Sequence, residues 1–137
     1  MNIYKDKEIL ITGGTGSFGN EFCRKVINNK IKPRRLVIYS RDEFKQAEME
    51  KKYPINKFPF IRFFIGDIRD KERLYRAMEN IDIVINAAAL KHVNLGEYNP
   101  MEVIKTNVIG SQNIVDACLD MNVKNVIALS TDKASSP

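Results

Sequence analysis

The sequence predicts an α/β protein built on a doubly wound parallel sheet of five strands. Short apolar, β-branched runs alternate with segments of helical period, which is typical of a parallel sheet with crossover helices. Four of the five runs carry consecutive apolar residues, as expected when helices cover both faces of a strand. A glycine-rich segment directly follows the first run. Right-handed crossovers then place the strands in the order 3-2-1-4-5.

The elements follow one another without a linker, a repeat or a low-complexity tract. The predicted strands are EILIT at 8–12, LVIY at 36–39, IRFFI at 61–65, IVIN at 83–86 and VIALS at 126–130. The predicted helices span 17–28, 42–52, 71–79 and 100–121, and Asp70 is expected to cap the third.

The last predicted helix is long for a globular protein. Gly110 within it is expected to allow close approach of the helix backbone to the sheet. Its apolar positions broadly follow the helical period; they are Val103, Ile104, Val108, Ile114, Val115 and Cys118.

Composition bounds the class of protein. The 137 residues make one domain, here taken as 1–137, and 44% apolar with 28% charged residues is ordinary for a soluble globular protein. Because no run approaches the roughly 18 apolar residues of a membrane span, we expect no membrane association and a cytoplasmic location. The net charge of +5 is spread among many acids, so we expect no nucleic-acid partner. The two cysteines lie far apart, which favours buried thiols over a disulfide or a metal site.

The segment TGGTGSFG at 12–19 lies between the first strand and the first helix. In that context, glycines at this spacing serve a tight turn, close approach of the backbone to a diphosphate, and close helix packing. The helix N terminus adds N–H groups and the positive end of its dipole. The segment therefore predicts a Rossmann-type dinucleotide site, with these expected contacts: Gly13, Thr15, Gly16, Ser17, Phe18 and Gly19.

The Thr-Gly-x-x-Gly-x-x-Gly spacing resembles the signature of the extended short-chain dehydrogenase/reductase superfamily. GDIRD at 66–70, NAAA at 86–89, NVIG at 107–110 and STDK at 130–133 agree with that resemblance in order and position. The resemblance implies that Asp67 and Ile68 contact the adenine. It implies further cofactor contacts at Ala87, Ala88, Ala89 and Asn107.

The choice between NAD and NADP is predicted from the residues at the end of the second strand. An NAD site would place an acid there, whereas this chain has Tyr39, Ser40 and Arg41. A guanidinium can bind a 2′-phosphate with two hydrogen bonds and Ser40 can add a third, so NADP is predicted. The alternative is a surface arginine paired with Asp42 or Glu43.

Three strings narrow the resemblance to a subfamily. YSRDE at 39–43, the segment ALKHV with EYNP at 89–100, and LSTDKA at 129–134 resemble the inverting UDP-N-acetylglucosamine 4,6-dehydratases that begin pseudaminic acid synthesis. More broadly, they resemble the capsular-polysaccharide nucleotide-sugar dehydratase/epimerase family. By this resemblance Asp132 assists loss of the C6 hydroxyl, Lys133 handles the C5 proton and Thr131 hydrogen-bonds the sugar. An alternative reading of Ser130 or Thr131 is a helix N-cap. The resemblance also implies substrate contacts at Lys91, Glu97 and Tyr98.

Such an enzyme is a lyase without net redox change, because the hydride removed from C4 of the UDP-sugar returns to C6. The superfamily also uses a Tyr-x-x-x-Lys pair, and Tyr53 with Lys57 is a poor candidate because Pro54 disfavours the helix. Because this pair is expected beyond the last residue of this sequence, we expect an amino-terminal fragment that is inactive alone. We also expect a homo-oligomer, because the fifth strand should leave an edge and an apolar face uncovered. An NADP-dependent epimerase and a non-catalytic dinucleotide-binding module remain alternatives.

Overall fold

The computed structural model describes residues 2–88 and 100–129, except for the side chains of residues 100 and 102–106. Strands and helices alternate along the chain in the order that was predicted. The strands are β1 Glu8–Thr12, β2 Arg35–Ser40, β3 Ile61–Ile65, β4 Ile83–Asn86 and β5 Asn125–Ala128. The helices are α1 Ser17–Asn28, α2 Glu43–Lys52, α3 Lys71–Ala77 and α4 Pro100–Asp120.

All four strand pairings are parallel, and the strand order β3-β2-β1-β4-β5 confirms the predicted Rossmann-type sheet. β1 lies at the centre, where Thr12 pairs with Tyr39 of β2 on one side and with Asn86 of β4 on the other. The carboxyl ends of the three central strands are therefore level, and the loops that follow them meet at one edge of the sheet.

The core consists of two layers, one on each face of the sheet. Within β1, Leu10 faces the layer formed with α3 and α4, while Ile9 and Ile11 face the layer formed with α1 and α2. Consecutive apolar residues in a strand are needed when both faces are covered, which confirms the interpretation of the apolar runs. Cys23 and Cys118 are buried free thiols, as predicted.

Several element boundaries differ from the prediction. β2 extends one residue further at each end, and α2 begins at Glu43 because Asp42 caps it through a hydrogen bond from Lys45 N. α3 ends at Ala77 rather than 79. α4 ends at Asp120 instead of 121, and β5 spans 125–128 instead of 126–130, with residue 130 outside the described part of the chain.

The apolar face predicted for α4 is right at two positions and wrong at two others, while the side chains of Val103 and Ile104 lie outside the described part of the chain. Ile114 and Cys118 are buried as predicted, but Val108 and Val115 are 63% and 49% exposed. Apolar residues occupy two sides of this helix, and periodicity alone does not identify the side that packs on the sheet. Gly110 does allow a close approach, but to the Ile68 side chain in the loop after β3 rather than to the sheet itself.

Candidate functional site

A cleft of about 380 Å³ opens at the carboxyl edge of the sheet, between the start of α1 and the end of β4. Loops after the central strands of a doubly wound sheet meet at this edge, and ligands bind there in such folds. Of the predicted cofactor contacts, six line the cleft. Among the described residues, the lining is Gly13, Thr15, Gly16, Ser17, Phe18, Asn20, Lys45 and Ala87.

The glycine loop is shaped by two close backbone approaches. Gly13 has a φ of +65°, and a Cβ atom there would lie 2.7 Å from the Cα of Ala88, at the end of β4. A Cβ on Gly19 would lie 1.7 Å from the carbonyl oxygen of Gly14. Since contacts below 3.0 Å are not sustained between backbone and Cβ atoms, both positions require glycine. The loop thus folds tightly back on the first turn of α1.

Of the helices that begin at this edge, α1, α2 and α3 have N termini that the structure describes, and these differ. Asp42 caps α2 and Asp70 caps α3, each with an acid in its first turn, and the cap at Asp70 confirms the prediction for that residue. The N-cap of α1 is Gly16, which has no side chain to cap the helix, and the first turn contains no acid. Its N–H groups face the cleft with the positive end of the helix dipole, and the described lining of the cleft contains no carboxylate, which suits an anion.

The hydroxyl groups of Thr15 and Ser40 connect the glycine loop to the end of β2. Thr15 Oγ1 donates to Ser40 Oγ at 3.2 Å, and both residues are buried. The carboxyl ends of β1 and β4 are joined in a similar way, because Thr12 Oγ1 donates to Asn86 Oδ1 at 2.6 Å. Side-chain hydrogen bonds therefore connect the glycine loop to β2 and β1 to β4 at the edge of the sheet where the cleft opens.

Beside the cleft, Asp67 lies between two arginines. Its Oδ2 is 2.9 Å from Arg69 Nη2 and 3.8 Å from Arg41 Nη1, and its Oδ1 accepts the Arg69 N–H at 2.9 Å. Burial alone would raise the pKa of Asp67, but the hydrogen bonds and charge of Arg69 and the charge of Arg41 outweigh it and lower the pKa. Asp67 is therefore ionised at neutral pH and faces two guanidinium groups.

The loop that carries Asp67 and Ile68 is fixed by side-chain hydrogen bonds to its backbone carbonyls. The Tyr39 hydroxyl donates to the Asp67 carbonyl at 2.8 Å, and burial of this tyrosine raises its pKa. On the other side, Asn113 Nδ2 of α4 donates to the Ile68 carbonyl at 3.0 Å. Asn113 of α4 thus supports the backbone on which the predicted adenine contacts lie.

The sequence-predicted residues divide into three groups. Gly13, Thr15, Gly16, Ser17, Phe18 and Ala87 line the cleft, whereas Gly19 packs against Gly14. Ser40 ends β2, and Arg41, the next residue, lies 3.8 Å from Asp67 in the loop after β3. Ala88 follows β4, while Ile68 and Asn107 lie in the supporting loop and in α4. Seven predicted residues lie outside the described part of the chain; they are Ala89, Lys91, Glu97, Tyr98, Thr131, Asp132 and Lys133. Tyr53 and Lys57 are not a helical pair, because α2 ends at Lys52 and a turn follows.

Two residues of the lining were missed by the sequence analysis. Asn20 donates from Nδ2 to the carbonyls of Thr15 and Gly16, at 3.2 Å and 3.0 Å, and so closes the glycine loop. Lys45 lies in the first turn of α2. A cation at that position opposes the helix dipole, and this unfavourable placement is the signal that could have drawn attention to it. Over the described residues, no cluster of three or more His, Cys, Asp or Glu could hold a metal ion.

Comparisons with known proteins agree with this geometry. A family model described as polysaccharide biosynthesis protein matches residues 9–137. UDP-N-acetylglucosamine 4,6-dehydratase (inverting) of Campylobacter jejuni is 56% identical over 135 residues, which are 98% of this chain and 39% of that protein. UDP-glucose 4-epimerase of Rickettsia felis is 46% identical over 139 residues, again 98% of this chain and 39% of that protein.

Among solved structures, a double mutant of dTDP-glucose 4,6-dehydratase DesIV from Streptomyces venezuelae, with NAD and DAU bound, superimposes with a TM-score of 0.78 at 27% identity. The match covers 91% of this chain and 39% of that one. The chain thus spans about two fifths of the length of the proteins it matches. In the part that the structure describes, no helix is both long enough and apolar enough to cross a membrane.

Proposed function

Because the chain belongs to the polysaccharide biosynthesis protein family, we propose that it forms the NADP-binding part of a nucleotide-sugar dehydratase that acts on UDP-N-acetylglucosamine with inversion at C5. The observation that carries this proposal is the cleft at the uncapped N terminus of α1. Two glycines without room for a Cβ bring the backbone close to the position of a diphosphate, and the helix supplies N–H donors to it. The similarity to DesIV, whose structure contains NAD, supports a nicotinamide dinucleotide as the ligand.

The residues present fit NADP better than NAD. The end of β2 carries Ser40 and Arg41 where an NAD site would carry an acid, and Asp42 is used as a helix cap. The Arg41 side chain is 51% exposed and held only loosely by Asp67, so its guanidinium is available to a 2′-phosphate. Lys45, which lines the cleft, adds a second cation one helical turn further on.

When bound, NADP would accept a hydride from C4 of the sugar and return it to C6 after water is lost, so that no net redox change occurs. We assign the proton steps to residues that follow β5. Ala128 pairs with Asn86, so the ends of β5 and β4 are level beside the cleft. Asp132 then protonates the leaving C6 hydroxyl and Lys133 takes the C5 proton. As the hydride returns to C6, a proton must be added to the opposite face of C5, which inverts that centre. Thr131 hydrogen-bonds the sugar, while Lys91, Glu97 and Tyr98 contact the UDP-sugar.

The cofactor assignment is tested by titrating NADP and NAD into the wild type and Arg41→Ala. Hydrogen bonds to charged groups contribute about 1.5–3 kcal/mol, so loss of Arg41 is expected to weaken NADP binding by roughly 10- to 150-fold with little effect on NAD. Arg34→Ala is the matched control, because Arg34 is also exposed but precedes the opposite end of β2. Equal loss of affinity for both dinucleotides, or for neither, would exclude the assignment.

The reaction is tested with the full-length gene product and UDP-N-acetylglucosamine. NMR is expected to show a 4-keto, 6-deoxy sugar with inverted C5, and Asp132→Asn is expected to prevent its formation while NADP binding is retained. The main alternative is 4-epimerisation, which the similarity to the Rickettsia felis protein supports. A product that keeps its C6 hydroxyl and differs only at C4 would establish that alternative. A protein that binds NADP but converts no nucleotide sugar would be a non-catalytic module.

Two further expectations belong to this proposal. The chain of 137 residues alone is expected to bind NADP without turning over substrate. Self-association is supported by the exposed apolar side of α4, where Val108, Val115 and Leu119 face away from the core. Light scattering is expected to show a homo-oligomer, and a monomer at high concentration would contradict it. We also propose a cytoplasmic location.

A further inference from the structure

Gln46 is a buried polar residue that none of the proposed steps uses. It lies on the inner side of α2 and is 4% exposed. Its Nε2 donates to the carbonyls of Ser40 and Phe64, both at 3.1 Å, and lies 3.3 Å from Ser40 Oγ. Two carbonyl oxygens can be matched only by the nitrogen end of the amide, so the orientation of this side chain is fixed.

These contacts join the carboxyl ends of two strands. β2 ends at Ser40 and β3 at Ile65, and these two residues are paired in the sheet. The Ser40 carbonyl accepts from both Gln46 Nε2 and the Gly66 N–H, the latter at 2.9 Å. Gln46 therefore fixes the backbone immediately before Arg41 and ties it to the strand that leads to Asp67.

The same contacts continue to the glycine loop. Ser40 Oγ is approached by Gln46 on one side and by Thr15 Oγ1, at 3.2 Å, on the other. Three buried polar side chains thus form one hydrogen-bonded network from the glycine loop to the end of β3; they are Thr15, Ser40 and Gln46. A satisfied buried network of this kind specifies one arrangement of the groups it joins, because any displacement leaves a polar group unpaired in a low dielectric.

We propose that Gln46 is a positioning residue for cofactor selectivity. Acting through Ser40, it sets the distance and direction of Arg41 relative to the glycine loop, so that one dinucleotide can place its diphosphate and its 2′-phosphate on both at once. Such selectivity depends on geometry at the level of about 1 Å. The inference rests on the proposed NADP preference and adds the residue that makes the preference geometrically possible.

The test compares Gln46→Met with Met49→Ala. Gln46→Met keeps the length and volume of the side chain but removes the donor. Met49, also on the buried side of α2, packs in the core without a hydrogen bond to Ser40, so its truncation perturbs the same helix by a different route. Dissociation constants for NADP and NAD are measured by calorimetry, and melting temperatures are recorded in parallel.

For Gln46→Met, the ratio of NADP to NAD affinity is expected to fall at least about tenfold, because an NAD lacks the phosphate that depends on Arg41. For Met49→Ala, the melting temperature is expected to fall while the ratio stays within about twofold of the wild type. A Gln46→Met protein that is less stable but keeps its full preference for NADP would overturn the inference and leave the cofactor proposal intact. A wild type with no preference would overturn both.

A second measurement needs no variant, in case Gln46→Met does not fold. In ¹⁵N spectra of the wild-type protein, the Gln46 side-chain amide signals are expected to shift on titration with 2′,5′-ADP and to shift much less with 5′-AMP, since only the former carries the 2′-phosphate. Equal shifts with the two nucleotides, or none with either, would contradict the positioning role.

Discussion

Gly110 of α4 offers a direct test of how the helix supports the predicted adenine site. A Cβ atom added at this position would lie 2.4 Å from Ile68 Cδ1 and 2.7 Å from Ile68 Cγ1. Carbon atoms in contact prefer separations of about 3.5–4.0 Å, so Gly110→Ala creates an overlap of about 1 Å or more. Because the atoms that overlap belong to the end of a side chain, Ile68 must move while the helix stays formed.

Two opposing contributions determine the change in the free energy of unfolding. Overpacking of this kind costs about 1–3 kcal/mol, while replacing glycine by alanine inside a helix gains about 1 kcal/mol. The net loss is therefore about 1 kcal/mol, which corresponds to a melting temperature lower by about 3–4 °C for a domain of this size. In an Ile68→Ala background the overlap is absent, and the same Gly110→Ala change is expected to stabilise the protein by about 1 kcal/mol.

The assay is a double-mutant cycle by chemical denaturation, with NADP affinity measured on each variant. The expected coupling energy between residues 68 and 110 is about 2 kcal/mol, within the range found for residues in contact. Gly110→Ala is also expected to weaken NADP binding, because it displaces the loop at 67–68. Ser111→Ala, at an exposed neighbouring position, is the control and should leave both quantities nearly unchanged. A coupling below about 0.5 kcal/mol would refute the reasoning.

Three more outcomes are expected. Asp70→Ala, which removes the cap of α3, should cost about 1 kcal/mol in a denaturation experiment, whereas Asp70→Asn should cost much less. Tyr39→Phe should cost about 0.5–1.5 kcal/mol and weaken cofactor binding, because the Asp67 carbonyl loses its donor. Burial raises the pKa of Cys23 to about 12 and that of Cys118 to about 11, so neither thiol should react with a disulfide reagent at pH 8 before unfolding. The unfolded thiols ionise near pH 9, whereas the folded thiols stay protonated up to about pH 11–12. The contribution of thiol burial to the free energy of unfolding should therefore be fully present below pH 9 and be lost as the pH rises towards 11–12; an increase in stability over that range would contradict the burial.

The fold could be predicted from the sequence because the signals that determine it are local. Runs such as Ile9 to Ile11 are apolar at every position, and only a strand covered on both faces needs that pattern. The packed side of α4, in contrast, could not be predicted from its own sequence. Val108 and Ile114 belong to opposite sides of one helix, and which side packs on the sheet is decided by the neighbouring elements rather than by the helix.

In the candidate site, too, local features could be predicted and contacts between distant residues could not. The conformation of the glycine loop was predictable because a tight turn with close backbone approaches requires glycines at fixed spacing. Gln46 was not predicted, because a glutamine between Lys45 and Ala47 has the pattern of a solvated helix surface, and its partners lie 6 and 18 residues away. The pairing of Arg41 with Asp67 likewise depends on β2 and β3 ending side by side, which only the folded sheet establishes.

The uncapped start of α1 has a consequence for the lifetime of the protein. Asp42 and Asp70 hold the first turns of α2 and α3 at all times, but for α1 the proposed ligand itself completes the helix. A ligand at a hundredfold excess over its dissociation constant stabilises the folded state by about 2.7 kcal/mol. Opening of the first turn, and the proteolysis that follows such opening, should therefore slow as the nucleotide pool fills. The abundance of this protein in a cell would then follow the supply of the proposed dinucleotide.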